Sequence, residues 1–131
     1  MSINVSVLIA EDDVLVRMAA VDALQDEGFE VFEAGNSQEA LIILRARASG
    51  IHVLFTDIHM PGQMDGLALA HHTGRSWPWV ALIIASGVAR PHASDLPANS
   101  RFLPKPYVLC DVVRHIRQMI APNAGMQRGT A

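Results

Sequence analysis

The stretch VLFTDIHMPG, residues 53–62, starts as an apolar strand and ends on a carboxylate. Val53, Leu54 and Phe55 lead through Thr56 to Asp57, and a Met60-Pro61-Gly62 turn follows almost at once. An acidic residue at the tip of so hydrophobic an element is costly unless it sits at a solvent-open edge or faces a cation. The segments on either side decide which.

Upstream, Val5 to Ala10 reads as a first strand. Val14, Met18, Val21 and Leu24 then recur at helical spacing, with Arg17, Asp22, Gln25 and Asp26 assigned to the polar side. Gly28 ends that helix, and Phe29 to Ala34 forms a second strand. Asn36 followed by Glu39 resembles a capping box that opens a helix carrying Ala40, Leu41, Leu44 and Ala48 and stopping at Gly50. Ile51 to Thr56 is the third strand. Downstream, the pattern predicts a short helix over residues 66–72, a fourth strand over 80–85 and a fifth over 101–104. The last helix is the cleanest, with Leu109, Val112, Val113, Ile116 and Ile120 on one face.

Strands that are nearly continuous apolar runs, alternating with helices, predict an α/β fold with a parallel sheet covered on both faces. A right-handed, doubly wound sheet of five strands follows. The 131 residues suffice for one domain, read here as residues 1–131 with a core of about 4–121 and a flexible tail over 122–131. Ten Lys and Arg against 13 Asp and Glu give a net charge of −3, which offers no footprint for nucleic acid and no polybasic membrane patch. Cys110 alone makes no disulfide or zinc cluster, and the six histidines are scattered and expected to be mostly solvated. No basic leader or membrane-length apolar run is evident, so a cytoplasmic location is expected.

In a doubly wound sheet, ligands bind outside the carboxyl ends of the strands. The first strand ends in Glu11-Asp12-Asp13, the third in Asp57, the fourth in Ser86-Gly87 and the fifth in Lys105-Pro106. One edge therefore receives carboxylates, a hydroxyl and an ammonium, whereas the second strand contributes nothing obvious. Taken singly these are ordinary: Asp13 reads as a helix N-cap, Ser86-Gly87 as a turn, and Pro104 and Lys105 as marks of an edge strand. Together they form a site. Clustered carboxylates repel unless a cation compensates, and an all-oxygen donor set from Glu11, Asp12 and Asp57 suits Mg²⁺. With a phosphoryl donor added, Asp57 becomes a nucleophile, Lys105 a partner for one phosphoryl oxygen and Ser86 a donor to another.

VLIAEDD (7–13), TDIHMP (56–61), IIASG (83–87) and FLPKP (102–106), in that order, resemble the receiver domain of bacterial two-component response regulators, over about residues 4–121. The resemblance implies the strand order 2-1-3-4-5. It makes Asp57 the phosphoacceptor, Asp12 a direct Mg²⁺ ligand and Glu11 a ligand through water, with the main-chain carbonyl of His59 completing the protein's share. It also makes Ser86 the switch hydroxyl, Phe102 the switch aromatic and Lys105 the lysine that grips the phosphoryl group, with Lys105-Pro106 cis. Two features depart from the pattern. MPGQMDG puts one extra residue between Pro61 and Gly66, and GVARPHASDLPANS (87–100) has two prolines and no sustained apolar period where a fourth helix is usual. At most one or two turns are expected there, so the fourth helix is read as shortened or degraded.

The implied function is a signalling phosphoacceptor and not an enzyme acting on an external substrate. A sensor histidine kinase or histidine phosphotransfer protein would supply the phosphoryl group, and a downstream protein target would receive the signal. Alternatives are a degenerate receiver acting as a phosphate-independent interaction module, a phosphatase of the haloacid dehalogenase type, and a flavodoxin-like cofactor binder. The phosphatase would want an acid where His59 stands, and the cofactor binder a Gly/Ser/Thr-rich loop after the first strand.

Overall fold

Five aliphatic segments pair as parallel strands: β1 (Ser6–Ala10), β2 (Glu30–Ala34), β3 (Val53–Asp57), β4 (Ala81–Ser86) and β5 (Ser100–Pro104). They lie in the order β2-β1-β3-β4-β5 in the computed structural model, which describes residues 4–88 and 90–121. Four helices cover the sheet: α1 (Val14–Asp26), α2 (Ser37–Arg47), α3 (Gly66–Ser76) and α4 (Leu109–Ile120). The doubly wound α/β architecture and its strand order are as the sequence implies. β1, β3 and β4 are buried along their whole length, which is why they read as unbroken apolar runs.

Side chains alternate between the two faces of each strand. Leu8, Leu54, Leu82 and Ile84 pack against α2 and α3 through Ala40, Leu41, Leu44, Leu69 and Ala70. Val7, Ile9, Val53, Phe55 and Ile83 pack against α1 and α4 through Ala20, Leu24, Val112 and Ile116. Three helices start on the side-chain caps that the sequence suggests or permits. Asp13 Oδ1 accepts from the N–H groups of Leu15 and Val16, Asn36 Oδ1 from Glu39, and Asp65 Oδ1 from Ala68. Glu39 does not close a capping box back onto Asn36; its Oε1 accepts from Gly35 N–H at 2.7 Å.

The expected apolar face of α1 holds at Val21 and Leu24 but not at its start. Val14 and Met18, assigned to the core, are 55% and 53% exposed, while the buried stripe runs through Ala20 and Leu24. The Asp13 cap fixes where the helix begins, and from there positions 17, 20 and 24 face the sheet at i, i+3, i+7 spacing. Arg17, assigned to solvent, therefore lies on the inner side, its side chain only 19% exposed.

Among its described residues the β4–β5 connection holds one 3₁₀ turn, Ala93–Asp95, where a fourth helix would lie. Pro91 and Pro97 flank it and forbid a longer helix. The segment is held against α3 instead, with His71 Nε2–H donating to the Asp95 carbonyl at 2.7 Å and Leu96 packing on the α2/α3 core. The histidines are less solvated than expected. His52 Nδ1 accepts from the Ser6 N–H at 3.1 Å, and His115 Nδ1 lies 2.9 Å from an Arg101 amino group. No helix among the described residues is long and apolar enough to cross a membrane. The tail expected over 122–131 lies outside the described residues.

Candidate functional site

The carboxyl edge of the sheet gathers the polar residues from four strands. β1 leads into Glu11 and Asp12, β3 ends on Asp57, β4 ends on Ser86, and β5 leads into Lys105. Carboxylate oxygens of Glu11, Asp12 and Asp57 all lie within 4.8 Å of one another. Glu11 and Asp57 are only 6% and 8% exposed, whereas Asp12 is exposed at the rim. Lys105 Nζ stands 3.3 Å from Asp57 Oδ1 and 3.7 Å from Glu11 Oε1. The strand-tip carboxylate thus has both an opening and a cation.

Burial pushes the Glu11 carboxyl above its ordinary value, and the charge of Asp57 adds to the rise. The Asp13 N–H, which donates to Glu11 Oε2 at 3.0 Å, and the Lys105 ammonium work in the opposite direction. The Glu11 main chain is equally fixed. Its N–H donates to the Ala34 carbonyl at the end of β2, and its carbonyl accepts from Arg17 Nη1 at 2.7 Å.

Asp57 is set by close backbone packing. Thr56 Oγ1 donates to the Asp57 carbonyl at 3.0 Å, and Gly66 N–H donates to the Ile58 carbonyl at 2.7 Å. Gly66 comes so near that a Cβ there would lie 1.7 Å from the Asp57 carbonyl oxygen. The 58–65 loop reaches this approach through Gly62, at φ +121°. The extra residue after Pro61 falls within the bend over residues 61–64.

Ser86 is buried, and its Oγ accepts from Val88 N–H at 3.2 Å. The Ser86 carbonyl accepts from Lys105 N–H at 2.9 Å, which aligns the ends of β4 and β5, and the Lys105-Pro106 bond is cis. Phe102 is half-buried on β5, opposite Ile84, against the α2/α3 core. His59 is exposed in the loop after β3.

Three residues outside the expected set belong to this site. Arg17 holds the Glu11 carbonyl, and Gly66 holds the Asp57 backbone. Tyr107 lines a small cavity of about 10 Å³ together with Glu11, Asp57, Phe55 and Ala85, and packs edge-on against Phe55 at 5.7 Å. Burial, then the charges of Glu11 and Asp57, push the Tyr107 phenol up to about 12.

Residues 7–117 match the response regulator receiver domain family. The chain belongs to that family. It is 34% identical over 117 residues to the response regulator receiver protein CpdR of Brucella abortus, covering 87% of this chain and 95% of that protein. It is 35% identical over 120 residues to the sensor kinase CckA of the same organism, covering 89% of this chain but 13% of the kinase. The crystal structure of the receiver domain from hybrid histidine kinase CckA superposes with a TM-score of 0.72 at 29% identity, over 88% of this chain and 98% of that one. A receiver protein from Sinorhizobium medicae reaches a TM-score of 0.83 at 24% identity over 91% and 96% of the two chains, a likeness of fold. The chain is therefore a two-component receiver, a signalling module in place of the phosphatase and the cofactor binder.

Proposed function

We propose that this receiver accepts a phosphoryl group from phosphohistidine on Asp57 and signals by the change that follows. The observation that carries the reading is the pairing of Asp57 with Lys105 inside a cluster of three carboxylates. An Asp57 oxygen forms the new bond to phosphorus as the phosphorus–nitrogen bond to the donor imidazole breaks. Lys105 Nζ, already at 3.3 Å from Asp57, moves its charge onto a phosphoryl oxygen. Ser86 Oγ–H donates to a second oxygen. Phe102 then follows the β4–β5 ends, a population shift driven by one new local charge.

The donor set fits Mg²⁺: three carboxylates give hard oxygens within 4.8 Å of one another, and among the described residues no His or Cys nitrogen or sulfur joins them. Glu11, Asp12 and Asp57, with the His59 carbonyl, would hold the ion. It would neutralise the carboxylates and stabilise charge on the phosphoryl oxygens.

The donor in this reading is a sensor histidine kinase or a histidine phosphotransfer protein. The signal leaves through a downstream protein target or by onward transfer, with neither nucleic acid nor membrane as partner. The similarity to the response regulator receiver protein CpdR across 95% of that protein's length supports this reading. Its test is incubation with Mg²⁺ and acetyl phosphate followed by intact mass. One added phosphoryl group is expected, absent in Asp57→Asn and without Mg²⁺. No adduct on the native chain would favour a phosphate-independent interaction module.

A further inference from the structure

We infer that Arg17 is a positioning residue for the metal site, acting through the Glu11–Asp12 peptide; the inference rests on the phosphoacceptor reading above. Asp12 is the exposed member of the acidic cluster, so its carboxylate is the one least held by packing. What places it is the main chain on either side. Asp13 is fixed as the cap of α1. Glu11 is fixed at its N–H by Ala34 and at its side chain by Asp13 N–H. The remaining freedom is rotation of the peptide plane between Glu11 and Asp12, and the Arg17 hydrogen bond to the Glu11 carbonyl at 2.7 Å removes it.

The surroundings of Arg17 are built for that contact. Its Nε donates to Glu33 Oε1 on β2 at 3.0 Å, which leaves Nη1 aimed at the Glu11 carbonyl. Gly35 makes room: a Cβ there would lie 3.2 Å from Nη1. Glu39 Oε1 in turn holds the Gly35 N–H at 2.7 Å. The Arg17 side chain is 19% exposed while that of Glu33 is 50% exposed, so the more buried partner is the arginine that reaches the carbonyl. An arginine does this better than a lysine, because its rigid fork presents two donors in fixed directions. β2, which brings no residue to the chemistry directly, supports it from behind through Glu33, as does Gly35 just after the strand. Groups that orient metal ligands commonly change affinity by about 10- to 100-fold when removed.

The test is Mg²⁺ affinity by calorimetry on the full chain, with no phosphodonor present. Arg17→Gln is expected to weaken Mg²⁺ about 10-fold, and Arg17→Lys less, while Arg114→Gln leaves it unchanged. With acetyl phosphate, Arg17→Gln should need more Mg²⁺ for half-maximal labelling yet reach the native rate at saturation. A purely structural arginine would instead lower the melting temperature with Mg²⁺ affinity intact. Arg17→Gln and Arg17→Lys that both bind Mg²⁺ within twofold of native would overturn the inference and leave the phosphoacceptor reading standing. If Arg17→Gln does not fold, Arg17→Lys alone decides. Absence of Mg²⁺ binding by the native chain would overturn both.

Discussion

Lys105 Nζ reaches from the end of β5 across β4 to within 3.3 Å of Asp57 Oδ1 on β3. The contact spans two strand spacings because the long side chain starts level with Ser86, whose carbonyl holds the Lys105 N–H. The ammonium compensates the buried carboxylates, and in the proposed phosphotransfer it would meet the charge on the phosphoryl group. Lys105→Gln keeps the length of the chain but not the charge. Losing one charge-assisted contact of about 2 kcal/mol should slow labelling by acetyl phosphate roughly 30-fold, measured as the initial rate at saturating Mg²⁺. A native rate would show that Lys105 is merely an edge-strand charge.

Glu11 links the site to pH. Its folded-state carboxyl is raised above the ordinary 4.5, first by burial and then by Asp57. The stability this contributes is present below 4.5 and is lost as pH rises through the folded value. Metal-free Glu11→Gln, which keeps an oxygen for the Asp13 N–H, should therefore exceed the native protein in stability at neutral pH and lose that advantage below 4.5. Urea unfolding at the two pH values reads it. Equal native and variant stabilities at neutral pH would contradict the account.

Tyr107 is the one tyrosine of the chain, so its ionisation can be followed directly by ultraviolet absorbance. The midpoint is expected at about 12. In Asp57→Asn it should fall while staying above the ordinary 10.0, because burial is the larger cause. A native midpoint at the ordinary value would place the phenol away from the acidic cluster.

Gly66 allows no side chain. A Cβ 1.7 Å from the Asp57 carbonyl oxygen forces the loop or the strand end to move. Gly66→Ala should lose about 3 kcal/mol by denaturant unfolding, and the protein that remains folded should label more slowly. Gly62→Ala, strained only by its φ of +121°, should cost about 1 kcal/mol. Labelling at the native rate in folded Gly66→Ala would show that the glycine does not set the nucleophile.

The sequence made the fold legible because β1, β3 and β4 are buried on both faces, and such strands read as uninterrupted apolar runs. Glu11, Asp57 and Ser86 were legible for a related reason, since each closes or directly follows one of those runs, and Lys105 because it directly follows β5. Arg17 was not. Its place depends on how the first turns of α1 are set by the Asp13 cap, and the exposed apolar Val14 and Met18 pointed the pattern the wrong way. The spacing of 17, 20 and 24 was the available signal. Gly66 and Tyr107 were missed because their importance lies in tertiary contacts with the end of β3. No periodicity reports the 1.7 Å approach to Asp57, or a phenol turned inward beside Phe55.

The central claim is that the carboxylate closing β3 is the phosphoacceptor. Phosphorylating the protein with acetyl phosphate and Mg²⁺, reducing the acyl phosphate with borohydride and mapping the peptides tests it at single-residue resolution. Conversion of Asp57, and no other residue, to homoserine is the predicted result. Homoserine at Asp12 or any other acid, or label retained in Asp57→Asn, would contradict the account.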